Sequence, residues 1–304
     1  VPVPSPYALL LSNVMVREAS VSVLDSSTSY WDYGPPNADT VVVAVHGFRG
    51  EHHGLDPVVA HLSGIRVISP DLPGFGESEP LRDLTHDIAG YTAWLRAFIE
   101  ALGLHAPVIL GHSFGSIVVS AAVAGGVEAS KVILVNPIAA PALSGPNGFL
   151  SRLTLLYYRA GRALPPKLGG ALLSNWLIVR FMSLLLAQSP DRDLRRWVHD
   201  QHHTYFSRYA TRDSVVEGFE ASISADVSQF APSITAPTLL IGADRDPITT
   251  VDAQRRLVEL FPDARLEIIP AVGHLIHYEK PREAASAIVE FLGDGAVAVS
   301  EAAA

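Results

Sequence analysis

Between the apolar run Pro107 to Leu110 and the small-residue segment Ser116 to Ala124, the chain reads Gly111-His112-Ser113-Phe114-Gly115. A strand that turns sharply into a helix brings backbone against backbone, so the positions flanking the turn favour residues without side chains. G-x-S-x-G in that setting holds a serine hydroxyl out at the end of a strand. The rest of the chain has the matching alternation. Thr40 to Val45 is a continuous apolar run, as expected of a strand buried on both faces. Ile65 to Ser69, Pro107 to Leu110, Lys131 to Val135, Pro237 to Ile241 and Arg265 to Ile269 read as further strands. Helix-period segments fall at about 52–62, 84–102, 114–125, 250–260 and 281–292. Val14 to Leu24 and Thr28 to Tyr33 read as opening strands, with an antiparallel pair as one arrangement. The pattern predicts an α/β chain with a mostly parallel central sheet flanked by helices.

From about Ile138 to Gln229 the alternation stops. Apolar runs of helical period (Phe149 to Tyr157, Ala171 to Leu186) are punctuated by Pro141, Pro146, Pro165, Pro166 and Pro190, which mark helix ends. An all-helical insertion is expected over 138–229, dividing a core made of 1–137 and 230–304. The tail after Phe291 is expected to fray. At 48% hydrophobic and 17% charged residues, the 304-residue chain has the makeup of a folded domain. A formal net charge of −9 argues against nucleic acid as a partner. The absence of cysteine excludes disulfides, Cys-based zinc sites and a cysteine nucleophile. The most apolar stretch, Ala171 to Ala187, carries Asn175 and Arg180 and reads as a buried helix rather than a membrane span. The opening Val-Pro-Val-Pro-Ser-Pro lacks the basic region of an uncleaved signal, so the expected compartment is the cytoplasm, with a signal removed before Val1 as the alternative.

Two further motifs follow strands. Val272-Gly273-His274-Leu275-Ile276-His277-Tyr278-Glu279 lies after the last one and offers a histidine that can reach Ser113 as general base and then general acid. Leu240-Ile241-Gly242-Ala243-Asp244-Arg245-Asp246-Pro247-Ile248 offers a carboxylate, from Asp244 or Asp246, to hold the tautomer of that histidine.

The order serine, aspartate, histidine resembles that of the α/β-hydrolase superfamily, and the resemblance covers nearly the whole chain. His46-Gly47-Phe48-Arg49-Gly50 resembles the oxyanion loop of that family, and Asp71-Leu72-Pro73-Gly74-Phe75-Gly76-Glu77-Ser78 its D-x-x-G-x-G-x-S turn. The resemblance implies Ser113 as nucleophile, His274 as base, and the backbone N–H groups of Phe48 and Phe114 as oxyanion donors. The family pattern of an aspartate followed shortly by Ile or Val selects Asp246 over Asp244. Some members carry the acid one strand earlier, where this chain has Asn136, which cannot supply the charge. A serine nucleophile departs from epoxide hydrolases and haloalkane dehalogenases, H-G-F-R-G departs from the H-G-G-G of many lipases, and Leu275 stands where ring-cleavage C–C hydrolases often carry tryptophan.

Other candidates have structural explanations. His199, His202 and His203 at i, i+3, i+4 lack the glutamate of a zinc helix and read as a solvated face. His52 and His53 start a segment beside the oxyanion loop and read as structural, with bordering the pocket as the alternative. His277 is expected to pack beside the loop of His274. Arg192, Arg195 and Arg196 alternate with Asp191 and Asp193 as a charged surface. In the insertion, Phe149, Leu153, Tyr157, Trp176, Phe181 and Met182 either pack onto the core or roof an apolar pocket. The resulting expectation is a cofactor-independent, metal-free serine hydrolase of carboxylic esters, thioesters or lactones, acting on a small apolar molecule beneath a helical lid. Hydrolysis of a C–C bond in a diketone, or a ligand receptor on the same fold, are the alternatives. Oligomeric state leaves no signature in the sequence.

Overall fold

A computed structural model describes residues 3–140 and 148–293. Pro141, Pro146, the tail beyond 293 and the side chain of Phe149 lie outside the described residues. Eight strands are present: β1 (Val16–Val23), β2 (Ser26–Tyr33), β3 (Val41–Val45), β4 (Arg66–Pro70), β5 (Val108–His112), β6 (Lys131–Val135), β7 (Thr238–Ala243) and β8 (Ala264–Ile269). They form one sheet in the order β1-β2-β4-β3-β5-β6-β7-β8. β1 and β2 are an antiparallel hairpin closed by Leu24 and Asp25, both at positive φ, as a two-residue hairpin turn requires. β2 also meets β4 antiparallel, and every later pairing is parallel.

The continuous apolar runs have a direct cause. Along β6, Val132 and Leu134 face one core while Ile133 and Val135 face another. The first core is closed by helices α3 (Ile88–Ala101) and α4 (Phe114–Ala124), which contribute Tyr91, Trp94, Phe98 and Ile117. On the opposite face lie α2 (Asp56–Val59) and α12 (Pro281–Leu292), bringing Val58, Val59, Ala285 and Ile288. The short α1 (Ala8–Leu11), α10 (Val251–Val258) and α11 (Ile276–Glu279) complete the sheet unit. The helix expected over 52–62 is shorter, a 3-10 turn at His52–Gly54 followed by α2. The helix expected from 84 begins at Ile88, where Asp87 caps it by accepting from the Gly90 N–H at 2.8 Å.

Between β6 and β7 the described residues form α5 (Gly148–Ala163), α6 (Pro166–Leu173), α7 (Trp176–Leu186), α8 (Arg192–Tyr205) and α9 (Arg212–Ser224). Two expectations fail here. Ala171 to Ala187 is not one buried helix: it breaks at Ser174 and Asn175, and α7 leaves Trp176 64%, Leu177 58% and Phe181 54% exposed. Each turn of a helix satisfies its own backbone, so α7 needs only its Val179 and Ser183 stripe covered. The histidines of α8 are not a solvated face either. His199 and His202 are buried because Ser183 of α7 meets the Nδ1 of each at 2.6 Å, while His203 stays exposed.

Candidate active site

Ser113 sits between β5 and α4 at φ 52° and ψ −117°, a strained conformation for a residue with a side chain. Both glycines are dictated by contact. A Cβ on Gly111 would lie 2.5 Å from the Gly115 carbonyl oxygen, and one on Gly115 would lie 2.3 Å from that of Val45. The Ser113 N–H donates to the Val135 carbonyl at 3.0 Å, which ties the turn to β6.

The parallel register brings the C-terminal ends of β5, β6, β7 and β8 to one edge, where open α/β sheets place their sites. Ser113 Oγ lies 2.7 Å from His274 Nε2, and His274 Nδ1 lies 2.8 Å from Asp246 Oδ2. The other carboxylate oxygen of Asp246 accepts from the N–H groups of Ile248 at 2.8 Å and Thr249 at 3.2 Å. Burial opposes ionisation of Asp246, but the imidazole and these backbone donors outweigh it and hold its pKa below the ordinary value. Asp244 is exposed and its carboxylate meets only the Val272 N–H among the hydrogen bonds of the described residues, so the geometry separates the two aspartates. Asn136, at φ 47° just after β6, donates Nδ2 to Asp246 Oδ2 at 3.0 Å. Sequence reasoning treated it only as a missing acid; its place at a strand end in a left-handed conformation that asparagine tolerates was the available signal.

The loop after β3 lies against the serine, since a Cβ on Gly47 would be 3.2 Å from Ser113 Cβ. His46 holds it: Nε2 accepts from the Leu72 N–H at 2.8 Å while Nδ1 points at the Gly47 carbonyl, and burial keeps the ring neutral. Phe114 is the first residue of α4, where a helix has no internal acceptor for its N–H. The Phe48 ring stands edge-on to Phe114, Phe75 and Tyr158, at centroid distances of 6.4, 5.8 and 5.8 Å, and Tyr158 stacks on Phe219 at 3.9 Å. Aromatic side chains of α5 and α9 therefore wall the loop.

Arg49, at φ 58° and 8% exposed, was missed as a functional residue. Its guanidinium donates to the Phe206 carbonyl at 2.7 Å, the Leu173 carbonyl at 2.9 Å and the Tyr158 hydroxyl at 3.2 Å. Leu173 ends α6 and Phe206 caps the C-terminus of α8, so two negative helix ends converge on one buried cation.

Below the site, His112 and His277 are buried with ring centroids 4.0 Å apart. Burial pushes His112 down to about 3 and His277 well below the usual range, so both are neutral. Glu51, His52 and His53 are the grouping, among the described residues, whose ligand atoms lie close enough for a metal, within 4.8 Å. The Nδ1 atoms of the two histidines are already bonded to Asp71 and Glu51, which makes this a hydrogen-bonded brace for the loop.

The sequence profile described as the alpha/beta hydrolase fold matches residues 40–281. The chain is similar to epoxide hydrolase A of Mycobacterium tuberculosis, 25% identical over 298 residues that cover 85% of this chain and 92% of that one. It is equally similar, at 25% over 280 residues, to a 2-hydroxy-6-oxononadienedioate/2-hydroxy-6-oxononatrienedioate hydrolase of Cupriavidus pinatubonensis, covering 84% of this chain and 88% of that one. Among solved structures, a thermophilic esterase from Thermogutta terrifontis superposes with a TM-score of 0.73 at 21% identity, covering 92% of this chain and all of that one.

Proposed function

From the premise that the chain belongs to the alpha/beta hydrolase family and is a hydrolase, we propose that it cleaves carboxylic esters, thioesters or lactones through an acyl-enzyme. The observation that carries this reading is the unbroken series from Ser113 Oγ to His274 Nε2, at 2.7 Å, and from His274 Nδ1 to Asp246 Oδ2, at 2.8 Å. Ser113 attacks the carbonyl carbon and passes its proton to His274, whose imidazolium Asp246 stabilises. The Phe48 and Phe114 N–H groups receive the oxyanion, a role supported by their place beside Ser113. His274 then protonates the leaving group, and the reverse sequence with water releases the acid. Asn136 and the backbone of Ile248 and Thr249 keep Asp246 oriented.

Serine chemistry also narrows the readings offered by the relatives. Opening an epoxide on Ser113 would leave an ether with no carbonyl for water to attack, whereas an acyl-serine hydrolyses readily. In this reading residues 138–229 form a lid over the core segments 1–137 and 230–304, supported by Tyr158 and Phe219 beside Phe48. A contact at the other side agrees: a Cβ on Gly273, next to His274, would meet the Gln188 side chain at 3.1 Å. The aromatic walls favour small apolar acyl groups over charged ones. A second reading, hydrolysis of a C–C bond beside a carbonyl, is favoured by the similarity to the oxononadienedioate hydrolase and uses the same residues.

The test combines fluorophosphonate labelling with turnover of p-nitrophenyl esters, lactones and diketones. Rapid labelling with ester turnover that rises and then falls with acyl length is the expected result. Each methylene buried is worth about 0.8 kcal/mol, or about fourfold in kcat/KM, until the pocket is full. Diketone turnover without ester turnover would replace the first reading with the second. Labelling without turnover of any substrate would favour a receptor.

A further inference from the structure

We propose that the outward face of α5, α6 and α7 docks on an anionic phospholipid surface. The side chains that a folded domain normally hides are the ones displayed there: Leu156 is 61%, Leu168 60%, Trp176 64%, Leu177 58%, Phe181 54% and Leu184 56% exposed. An exposed apolar set of this size marks an interaction site. α5 packs on α6, and α7 packs on α8. α5 and α6 cross at glycines, a Cβ on Gly169 falling 2.1 Å from the Gly161 carbonyl oxygen, and α7 follows α6 after Ser174 and Asn175.

Charge identifies the partner. No carboxylate occurs between Glu128 and Asp191, whereas α5, α6 and α7 carry Arg152, Arg159, Arg162, Lys167 and Arg180, in a chain of formal net charge −9. Arg162 pairs with Glu220; no ion pair engages Arg159, Lys167 or Arg180 among the described residues. Two of these cations, Arg159 and Arg180, share a helix face with exposed apolar side chains. Arg159 is one turn from Leu156, Lys167 adjoins Leu168, and Arg180 is one turn from both Trp176 and Leu184. Long cationic side chains beside inserted Leu and Trp suit a headgroup layer, which takes the charge outward and the apolar groups inward. A second copy of this chain is a poor occupant, because a two-fold contact would set the same cations against themselves. The face also adjoins the site, since Gln188, two residues after α7, has its side chain where a Cβ on Gly273, beside His274, would meet it at 3.1 Å.

The test reads binding and needs no turnover. Trp176 is the natural reporter, because Trp31, Trp94 and Trp197 are only 7%, 0% and 3% exposed. The intact protein is mixed with vesicles of phosphatidylcholine, with and without phosphatidylglycerol. Cosedimentation with the anionic vesicles is expected, with a blue shift of the tryptophan emission that Trp176→Phe removes. Removing one cation, by Lys167→Gln or Arg159→Gln, should lower partitioning about fivefold. Leu177→Glu with Leu184→Glu should abolish it while the circular-dichroism melt is retained. No cosedimentation of the wild type, or equal partitioning to both vesicle types, overturns the proposal. So does a dimer in sedimentation velocity that the double variant dissolves, which would assign the face to self-association.

Discussion

Leu134 and Leu177 both sit in strongly apolar stretches, Lys131 to Val135 and Trp176 to Leu186, yet the first is wholly buried and the second is 58% exposed. The difference lies in where each backbone finds its hydrogen bonds. β6 must be bonded by β5 on one side and β7 on the other, so its side chains are enclosed by whatever covers the sheet. α7 bonds to itself and can lie at a surface with a single stripe covered. In the sheet, apolar sequence therefore means burial. In the insertion it specifies only that some partner is favourable, and the partner need not belong to the chain.

The largest expected effects belong to the sheet edge. Ser113→Ala should remove fluorophosphonate labelling and lower turnover by about 10⁴ or more, with the melt unchanged, because it deletes one oxygen. Asp246→Asn should cost on the order of 10⁴ in kcat, through loss of the tautomer that presents His274 Nε2 to the serine. Asp244→Asn, exposed and outside the series, should change kcat by less than about twofold by the same reasoning. Equal losses at the two aspartates would break the separation that the geometry makes between them.

The same contrast governs what was legible in the sequence. The parallel strands were readable because burial on both faces writes an unbroken apolar run, and Ser113, Asp246 and His274 because each follows such a run in a motif with a chemical reason. Asn136 was not, since its bond to Asp246 exists only because β6 and β7 are neighbours in the sheet. Arg49 was not, since two of its acceptors are backbone carbonyls at Leu173 and Phe206, and a carbonyl has no code in the sequence. His199 and His202 read as a solvated face because Asp200 and Gln201 do not complete a zinc helix; their burial depends on Ser183 of another helix.

Two substitutions of one residue type make the contrast quantitative. Leu134→Ala should lower the unfolding free energy by about 2–5 kcal/mol, as for other buried leucines. Leu177→Ala should change it by less than about 0.5 kcal/mol, as a surface substitution does. Urea titrations of both measure this, and a loss at Leu177 approaching that at Leu134 would mean that α7 is covered in solution. Arg49→Met tests the link between the two regions. It strands the Leu173 and Phe206 carbonyls and removes bonds worth about 2 kcal/mol in total. Hydrogen exchange in α6 and α8 should accelerate about 30-fold while β5 and β6 keep their protection. Uniform acceleration would show that the insertion and the sheet open as one unit.

The smallest effect is a slope in pH, and it tests whether burial inside the insertion matters as burial in the core does. His202 is fully buried on α8, faces His199, His203 and Tyr278, and is pushed down to about 3 by desolvation. The unfolded chain holds this imidazole near its ordinary pKa of about 6.5, so between those values the unfolded state binds the extra proton. Stability from this group is therefore complete above about pH 6.5 and falls as the pH is lowered, by up to about 1.4 kcal/mol per unit. His112, pushed down to about 3 beneath Ser113, acts in the same sense from the core. Asp56 and Glu279, whose pKa values burial raises, act in the opposite sense, so the readout is a difference between proteins rather than one profile. Urea unfolding of wild type and His202→Leu, compared at pH 6.5 and pH 5, should show a shallower loss in the variant. Parallel slopes would mean that His202 reaches solvent and protonates in the folded protein, and that the α7–α8 interface is open enough to admit it.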